Sequence, residues 1–138
     1  MAPRAVITGA AGLIGQYVVK TASRWAPAWD VQGLSRAELE LTETSKVDAR
    51  ILALKPDLLI HCAALSRTKA CEQDPAQARR DNVVVTVHLA QLCQNIPFIS
   101  LYQPVFPSKT SPLDRKMKGI FWHSCARCTV TTTLSRRA

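Results

Sequence analysis

The chain has 138 residues, of which 47% are hydrophobic, and a formal net charge of +8. This hydrophobic content excludes an intrinsically disordered chain, and no run approaches the roughly 20 apolar residues of a membrane span. The N-terminus shows no basic region followed by a long apolar stretch, so we expect no secretory signal. Five cysteines, an odd and scattered set, argue against a disulfide framework and favour a reducing, cytoplasmic location.

The positive charge is unevenly distributed. Residues 1–99 contain eleven Lys/Arg and nine Asp/Glu, whereas residues 100–138 contain seven Lys/Arg and one acid, Asp114. A basic protein suggests nucleic acid or another anionic surface as a partner, but here the excess charge belongs mostly to the tail. The sequence therefore predicts a nearly neutral domain over residues 1–99 and a separate basic tail over residues 100–138.

A glycine-rich turn follows the first apolar run. In Ala5–Gly15 that run meets three glycines at the spacing G-x-x-G-x-x-G, and a helical pattern of apolar residues continues to Trp25. A strand, a tight glycine turn and a helix N-terminus form an anion site, because the backbone can approach a pyrophosphate closely there. The usual dinucleotide fingerprint, G-x-G-x-x-G, differs by one residue, so a turn without a ligand is the alternative.

Residues 30–34 predict a second strand, which ends at Ser35 and Arg36. An acid near this point of the fold usually holds the ribose hydroxyls, whereas an arginine accommodates a 2′-phosphate. Asp30 opens the strand instead of closing it, so we expect Arg36 to face the phosphate of NADP. The alternative is a solvated surface arginine.

The next segment predicts a strand, a helix and a third long strand. Leu39 and Leu41 alternate with polar residues, as in a short half-buried strand, and Thr42 is a candidate N-cap for a helix that ends before Pro56. Residues 57–64 read as a buried parallel strand that ends in small residues. Small residues at this position leave room for a ligand, or alternatively allow close packing against a helix.

Asp74 and Pro75 predict the start of the longest helix, because Asp is a good N-cap and Pro suits the first helical position. Asn82 interrupts its apolar stretch, and a buried Asn needs hydrogen-bond partners. Residues 96–99 predict a fourth strand. The predicted core face consists of Ala78, Val83 or Val84, Val87, Ala90 and Cys93. This alternation predicts an α/β fold, a Rossmann-like doubly wound parallel sheet with right-handed crossovers.

Four ordered motifs resemble one known family over residues 4–99. Thr8–Gly15 is similar to T-G-x-x-G-x-x-G, Arg36–Thr42 to R-x-x-L-D-L-T, His61–Ala64 to N-A-A-A, and Asp81–Val83 to V-N-x. Together they resemble the N-terminal half of an extended short-chain dehydrogenase/reductase of the RmlD-like, dTDP-4-dehydrorhamnose reductase family. That family also contains the regulatory β subunit of methionine adenosyltransferase.

The resemblance implies a cofactor site for NADP, with NAD as a possible cofactor, and a nucleotide-sugar substrate in full-length members. Glu40 stands where an Asp near the adenine is usual. The resemblance assigns cofactor binding to Gly9, Ala11, Gly12, Leu13, Ile14, Arg36, Glu40, Leu41, Cys62, Ala63 and Ala64. It assigns no catalytic residue and no metal ligand to this chain.

The resemblance stops near Ser100, before the Y-x-x-x-K pair that the family uses for proton transfer. The two tyrosines, Tyr17 and Tyr102, are followed four residues later by Thr21 and Phe106. We therefore expect a truncated reductase that is inactive as written, which leaves open whether the chain is an enzyme. The alternative is a non-catalytic NADP-binding regulatory module.

Residues 100–138 show no sustained period, and we expect a disordered or out-of-frame tail that arose by a reading-frame change near codon 100 or by an equivalent truncation. His123, Cys125 and Cys128 are spaced like zinc ligands, but a closed site needs four ligands, so no metal is predicted. A nucleic-acid binder acting through this tail is a third hypothesis, weakened because its aromatic residues do not interleave with the basic ones. An unpaired sheet edge would favour oligomers.

Overall fold

The computed structural model describes residues 1–94 and 96–100 of the chain. Strands and helices alternate along it, which confirms the predicted α/β class. The strands are β1 (Arg4–Thr8), β2 (Asp30–Leu34), β3 (Leu58–His61) and β4 (Phe98–Ser100). The helices are α1 (Leu13–Trp25), α2 (Thr44–Leu54), α3 (Thr68–Gln73), α4 (Pro75–Arg79) and α5 (Val85–Leu92), with a π-helical turn (Arg80–Val84) between α4 and α5. Helix α3 carried no sequence signal that we recognised.

The four strands form one parallel sheet in the order β2-β1-β3-β4. Thr8 at the end of β1 lies opposite Leu34 of β2 and His61 of β3, and His61 lies opposite Ser100 of β4. The carboxyl ends of all four strands therefore meet at one edge of the sheet. Because successive strands are added on opposite sides of β1, the space between β1 and β3 is the topological switch point.

One face of the sheet is covered by α2 and α5, and the main core lies there. Val6 of β1 and Leu59 of β3 are fully buried against this layer. Alternate residues of the strands point to this face, as the period of two requires. The core consists of Val6, Leu34, Leu39, Val47, Ile51, Leu54, Leu59, Val85, Leu89, Cys93 and Phe98. We call this side the closed face.

Helix α1 packs on the opposite side, which we call the α1 face. Gly33 permits this approach, because a Cβ there would lie 2.7 Å from Cβ of Ala10 and 3.0 Å from a methyl group of Val19. The predicted helix is confirmed, but the apolar stripe from which it was predicted lies largely at the surface. Tyr17 and Trp25 are 64% and 70% exposed. The buried residue of α1 is Gly15.

The strand predicted around Leu39 and Leu41 is wrong. The segment instead forms turns, in which the backbone N–H groups of Glu38 and Leu39 both donate to the carbonyl of Ser35. Leu39 is nevertheless buried, and Leu41 packs against the same core. The alternation of apolar and polar residues therefore does not indicate a strand at this position. Turn residues can alternate in exposure as strand residues do, and here the two leucines reach the core from a turn.

The N-cap predicted at Thr42 is also wrong. Helix α2 begins at Thr44 with Glu43 as its N-cap residue, and the Thr42 hydroxyl donates to Oε1 of Glu40 at 3.1 Å. A threonine hydroxyl can bond a neighbouring carboxylate as readily as an open helix turn, so its role depends on the partner that the backbone brings near. The predicted stop is confirmed, since α2 ends at Leu54, before Pro56.

The predicted cap of the longest helix is confirmed. Oδ1 of Asp74 accepts a hydrogen bond from the backbone N–H of Gln77 at 2.8 Å, and Pro75 occupies the first turn of α4. The helical backbone continues from Pro75 to Leu92, but it contains the π-helical turn between α4 and α5. A π-helical turn is not visible from apolar periodicity.

The predicted core face of this segment is only partly right. Cys93 is buried as expected, but Val84 is 41% exposed, and the buried positions include Val85 and Leu89. Apolar positions that were expected inside, Val87 and Ala90, are half-buried. The inward face instead includes two polar residues, Asn82 and Thr86. Their hydrogen-bond partners come from distant parts of the chain, so a pattern of apolar residues alone placed the face incorrectly.

Within residues 1–94 and 96–100, no helix combines the length and apolar character needed to cross a membrane. The predictions for the basic tail, including the motif of His123, Cys125 and Cys128, lie outside the described residues.

Candidate functional site

The glycine loop joins β1 to α1 at the switch point, and its glycines have different roles. Gly9 has a positive φ of 72°, and a Cβ there would lie 2.5 Å from the backbone nitrogen of Ala63. A Cβ on Gly15 would collide with the carbonyl oxygen of Gly9. Both glycines are therefore required by the close approach of the loop to α1 and to the end of β3.

Gly12 differs from the other two glycines. Its φ is −75°, and the nearest atom to a Cβ would be the carbonyl oxygen of Gly9 at 3.2 Å. It is the N-cap residue of α1, and its own N–H donates to that same carbonyl at 2.9 Å. Its other side faces an open cavity. The absence of a side chain at Gly12 therefore leaves space at a helix N-terminus, where the helix dipole favours an anion.

A cavity of about 230 Å³ lies at the carboxyl ends of the strands. It is smaller than the roughly 300–1,000 Å³ of typical ligand clefts, and it opens to solvent, so it fits part of a dinucleotide. Its walls come from the glycine loop, from the segment after β2, from the end of β3 and from the π-helical turn with the start of α5. The lining residues are Gly9, Ala11, Gly12, Leu34, Ser35, Arg36, Leu39, Glu40, Leu41, Thr42, Cys62, Ala63, Ala64, Leu65, Asp81 and Val85.

Nine of the eleven residues assigned to cofactor binding from the sequence line this cavity. They are Gly9, Ala11, Gly12, Arg36, Glu40, Leu41, Cys62, Ala63 and Ala64. Leu13 and Ile14, at the start of α1, project into solvent with 83% and 51% of their surface exposed. Sequence reasoning did not assign Ser35 to the site, although its position directly after β2 is a signal. Asp81 belongs to the motif that resembles V-N-x but was not itself assigned to the site, and Leu65 carried no such signal.

Charged groups cluster where β2 ends. Nε of Arg36 donates to Oε2 of Glu40 at 2.7 Å, and this hydrogen bond with the adjacent carboxylate raises the pKa of Arg36. Partial burial alone would raise the pKa of Glu40, but hydrogen bonds from Arg36 and Thr42 outweigh it, so the net pKa is lowered. The Arg36 side chain remains 68% exposed.

Glu38 forms a second carboxylate contact beside this pair. Its Oε2 accepts hydrogen bonds from both the backbone N–H of Ser35 at 2.7 Å and the Ser35 hydroxyl at 2.6 Å. These bonds, the hydroxyl first, lower the pKa of Glu38. The end of β2 thus presents an arginine and two ionised glutamates within six residues of sequence.

A buried polar chain lies beneath the cavity and connects β1, β3 and α5. The Thr86 hydroxyl donates to the carbonyl of Asn82 at 2.8 Å, so Thr86 accepts from Nε2–H of His61 at 3.2 Å. Nδ1 of His61 then accepts from the Thr8 hydroxyl at 2.7 Å, which assigns a neutral imidazole by hydrogen-bond counting. Burial lowers the pKa of His61 to about 4. The ring is therefore a structural link between β1, β3 and α5.

Asn82 and Cys62 have structural roles at the site, and neither side chain is a reactive group. The Asn82 amide bonds both the N–H and the carbonyl of Leu65, at 2.7 and 3.0 Å, which provides the partners that a buried Asn needs. Burial raises the pKa of the Cys62 thiol, so this side chain is neutral at pH 7 and a weak nucleophile. Over residues 1–94 and 96–100, no group of three potential metal ligands occurs.

A parallel sheet, a glycine turn at the switch point and a cavity against a helix N-terminus define a Rossmann-type α/β domain. The particular family follows from comparison with known proteins. The sequence profile of the RmlD substrate binding domain matches residues 3–104, so the chain belongs to this family.

Individual relatives agree with this assignment. dTDP-4-dehydrorhamnose reductase of Streptomyces griseus is 30% identical over 99 residues, which cover 72% of this chain and 32% of the relative. Methionine adenosyltransferase 2 subunit beta of Xenopus laevis is 37% identical over 106 residues, which cover 72% of this chain and 31% of the relative. The chain thus spans about a third of the length of these relatives.

Solved structures extend the comparison to the fold. The crystal structure of dTDP-4-dehydrorhamnose reductase from Bacillus anthracis, in complex with NADP, aligns with a TM-score of 0.64 at 25% identity. The alignment covers 71% of this chain and 35% of that protein. UDP-glucose 4-epimerase of Thermus thermophilus, at 22% identity and a TM-score of 0.60, shares the fold. The Rossmann-like prediction is therefore confirmed.

Proposed function

We propose that residues 4–100 bind a dinucleotide in the cavity at the switch point, with NADP preferred over NAD. The observation that carries this proposal is the shared lining of the cavity by the glycine loop and the ends of β2 and β3. The pyrophosphate would lie against Gly12 and the start of α1, and the adenosine ribose would lie near Arg36. The NADP complex of the Bacillus anthracis relative supports the choice of cofactor.

Replacing Gly12 tests the binding site. In Gly12→Val the added side chain would stand at the cavity wall. The negative φ suits a valine, but its Cβ would lie 3.2 Å from the carbonyl oxygen of Gly9, so the loop must shift slightly to accept it. We expect isothermal titration calorimetry to show NADPH affinity reduced at least about tenfold, since a displaced charge-assisted contact is worth roughly 1.5–3 kcal/mol. The exposed Ala53→Val is the matched control. Equal affinity in all three proteins would exclude this site.

Arg36 supplies the proposed preference for NADP. Only NADP carries the 2′-phosphate, so Arg36→Ala should weaken NADPH binding about tenfold and NADH binding much less, given about 1.5–3 kcal/mol for a hydrogen bond to a charged group. Calorimetry with both cofactors checks this expectation. If the wild type binds both equally and the variant does not change either, the role of Arg36 is wrong.

We further propose that this chain does not reduce a sugar nucleotide at the rate of a complete reductase. The Tyr-x-x-x-Lys pair is absent from the sequence, and a positioned general acid or base contributes about 10²–10⁴-fold in rate. NADPH oxidation by the purified chain with dTDP-4-dehydrorhamnose measures this activity. Turnover of about one per second that is abolished by Gly12→Val would contradict the proposal, because that rate is ordinary for an enzyme.

A regulatory binding module is the second candidate function. The 37% identity to methionine adenosyltransferase 2 subunit beta favours it. If the chain acts in this way, it should co-elute with a methionine adenosyltransferase catalytic subunit in size-exclusion chromatography. Separate elution over a range of concentrations, with and without NADPH, would exclude it.

A reducing, cytoplasmic setting remains part of the proposal, supported by free Cys62, Cys71 and Cys93.

A further inference from the structure

Helix α1 presents a row of mostly apolar side chains on its outer surface. Residues at steps of four are neighbours on a helix, and those of this row are Leu13, Tyr17, Thr21 and Trp25. Leu13, Tyr17 and Trp25 are 83%, 64% and 70% exposed. The Thr21 hydroxyl donates to the carbonyl of Tyr17 at 2.8 Å, so its hydrogen bond is made within the helix. We call these four residues the apolar row, which extends over about 18 Å at 1.5 Å per residue.

A second row, polar and basic, lies beside the apolar row and consists of Gln16, Lys20 and Arg24. Lys20 donates to Oε1 of Gln16 at 3.1 Å, and Cζ of Arg24 lies over the Trp25 ring, 4.9 Å from its centre. Helix α1 contains no Asp or Glu. Among the residues that the structure describes, neither cation forms an ion pair with a carboxylate. The basic row therefore offers two positive charges to an external partner.

The residue types of the two rows are those of a protein interface. A single exposed apolar residue is ordinary, but a contiguous row that includes two aromatic side chains indicates an interaction surface. Tyr, Trp and Arg are enriched among the residues that contribute most to binding, and Tyr17, Arg24 and Trp25 lie within about two turns of one helix. Rows at steps of four also form the ridges that pack into the grooves of a second helix.

The charge of α1 favours an acidic occupant over a second copy of this chain. If two α1 helices met along their outer surfaces, Lys20 and Arg24 of each copy would face like charges, which opposes association. Residues 100–138 are also basic, with seven Lys/Arg and one acid, so they do not complement α1. A helix that carries Asp or Glu beside its own apolar residues complements both rows.

The packing of α1 favours a protein over a lipid surface. A peripheral helix binds a membrane by burying a wide apolar face among the lipids. Helix α1 instead packs its inner side on the sheet, where Val19 approaches Gly33, and it presents the apolar row and the basic row side by side on its outer surface. This arrangement matches the shape of a second helix.

We propose that α1 is a docking surface for an acidic amphipathic helix of a partner protein. The apolar side chains of that helix pack against Tyr17 and Trp25, and its carboxylates pair with Lys20 and Arg24. None of these four residues lines the cavity at the switch point. The inference is therefore independent of the proposed dinucleotide site.

A designed peptide serves as the probe. It has three heptads with Leu at positions a and d and Glu at positions e and g, because repulsion between the glutamates opposes pairing of the peptide with itself. Fluorescence anisotropy of the labelled peptide, titrated with the full chain, measures binding. We expect saturable binding that weakens with added salt, and no binding of a twin peptide that has Lys in place of every Glu.

Substitutions on α1 locate the binding surface. Tyr17→Ala should weaken binding at least about tenfold, as truncation of an aromatic anchor does. Lys20→Glu should weaken it at least about fivefold, the effect of one charge pair about 4 Å apart in water. The controls are Leu52→Ala on α2, where the leucine is 65% exposed, and Lys69→Glu on α3, which is also exposed. Neither control should change the affinity.

Every other outcome overturns the proposal. The peptide fails to bind, or it binds both α1 variants as well as the wild type, if α1 is not the docking surface. Self-association of the wild type in analytical ultracentrifugation that Tyr17→Ala abolishes would assign the row to a second copy. Co-sedimentation with phosphatidylcholine–phosphatidylserine vesicles that both α1 variants abolish would assign it to a lipid surface.

Two further measurements keep the test specific. Thermal melts should show both α1 variants to be as stable as the wild type, because the two side chains are exposed. Calorimetry with NADPH should give the same affinity for Tyr17→Ala and the wild type. A failure of the docking proposal is thus distinguished from a failure of the dinucleotide site.

Discussion

The two faces of the sheet are covered very differently over the described residues. On the closed face, Val47 and Leu89 are completely buried among strands and helices. On the α1 face, the helix contributes Gly15 as its buried residue, while Leu13 and Tyr17 are 83% and 64% exposed. Neighbouring residues of one strand serve both faces, since side chains alternate along β1.

The two faces differ in what they contribute: the closed face contains the packed core, and the α1 face contains a wall of the cavity. Buried apolar area is the main source of folding free energy, so the closed face carries most of it. The α1 face contributes a helix that is held close by glycines, and the N-terminus of that helix forms one wall of the cavity. The glycine loop is therefore positioned by close backbone contacts at Gly9 and Gly15 more than by side-chain packing.

The largest expected effect is on the free energy of unfolding. It comes from comparing the same Leu→Ala substitution on the two faces. Leu89→Ala on the closed face should lower the free energy of unfolding by about 2–5 kcal/mol, because it leaves a cavity in a packed core. Leu13→Ala on the α1 face should change it by less than about 0.5 kcal/mol, as exposed substitutions usually do. Urea unfolding monitored by circular dichroism compares the two. Equal losses would show that the α1 face carries comparable stability.

A smaller effect is expected from the buried imidazole on the closed face. His61 has its pKa lowered from 6.5 to about 4, so the unfolded chain takes up a proton at a higher pH than the native chain. The free energy of unfolding should therefore fall as the pH drops from about 6.5 to about 4, by up to roughly 3 kcal/mol, and this contribution should level off below.

The variant His61→Gln tests this expectation, because it removes the titrating ring and should flatten the slope between these pH values. His88→Gln is the control, since His88 pairs with Asp48 in a partly exposed position. A slope that survives in His61→Gln, measured by urea unfolding at several pH values, would assign the pH dependence to other groups.

The smallest effect concerns the helix start beside the closed face. Asp74→Ala removes the hydrogen bond to the N–H of Gln77 and should cost about 1 kcal/mol, the usual value of an N-cap. Asp74→Asn should retain most of the stability, because Asn is an equally good cap. If the alanine and asparagine variants melt at the same temperature as the wild type, this cap does not contribute.

Much of the fold could be predicted from local signals. The glycine spacing indicated the turn between β1 and α1, and Asp74 with Pro75 indicated the helix start, because both depend on short-range backbone chemistry. The family resemblance, rather than these signals, assigned nine of the sixteen residues that line the cavity. Where the inward face of the helical segment was misplaced, the deciding partner lies far away in sequence, whereas the cap at Thr42 failed because of Glu40, two residues away. Asn82 faces inward because the backbone of Leu65 satisfies its amide, and Leu39 is buried from a turn instead of a strand.

By itself, the sequence determined the four strands of the sheet, helices α1 and α2 and the glycine loop, since apolar period and backbone preference are local properties. Only the tertiary structure decided which apolar residues are covered. Tyr17 and Cys93 both belong to the apolar pattern of a predicted helix, yet the first is exposed and the second buried, because burial depends on what packs above each position. The contacts of Glu38 and Glu40 were likewise decided in three dimensions, since the turns after β2 bring their carboxylates onto Ser35 and Arg36.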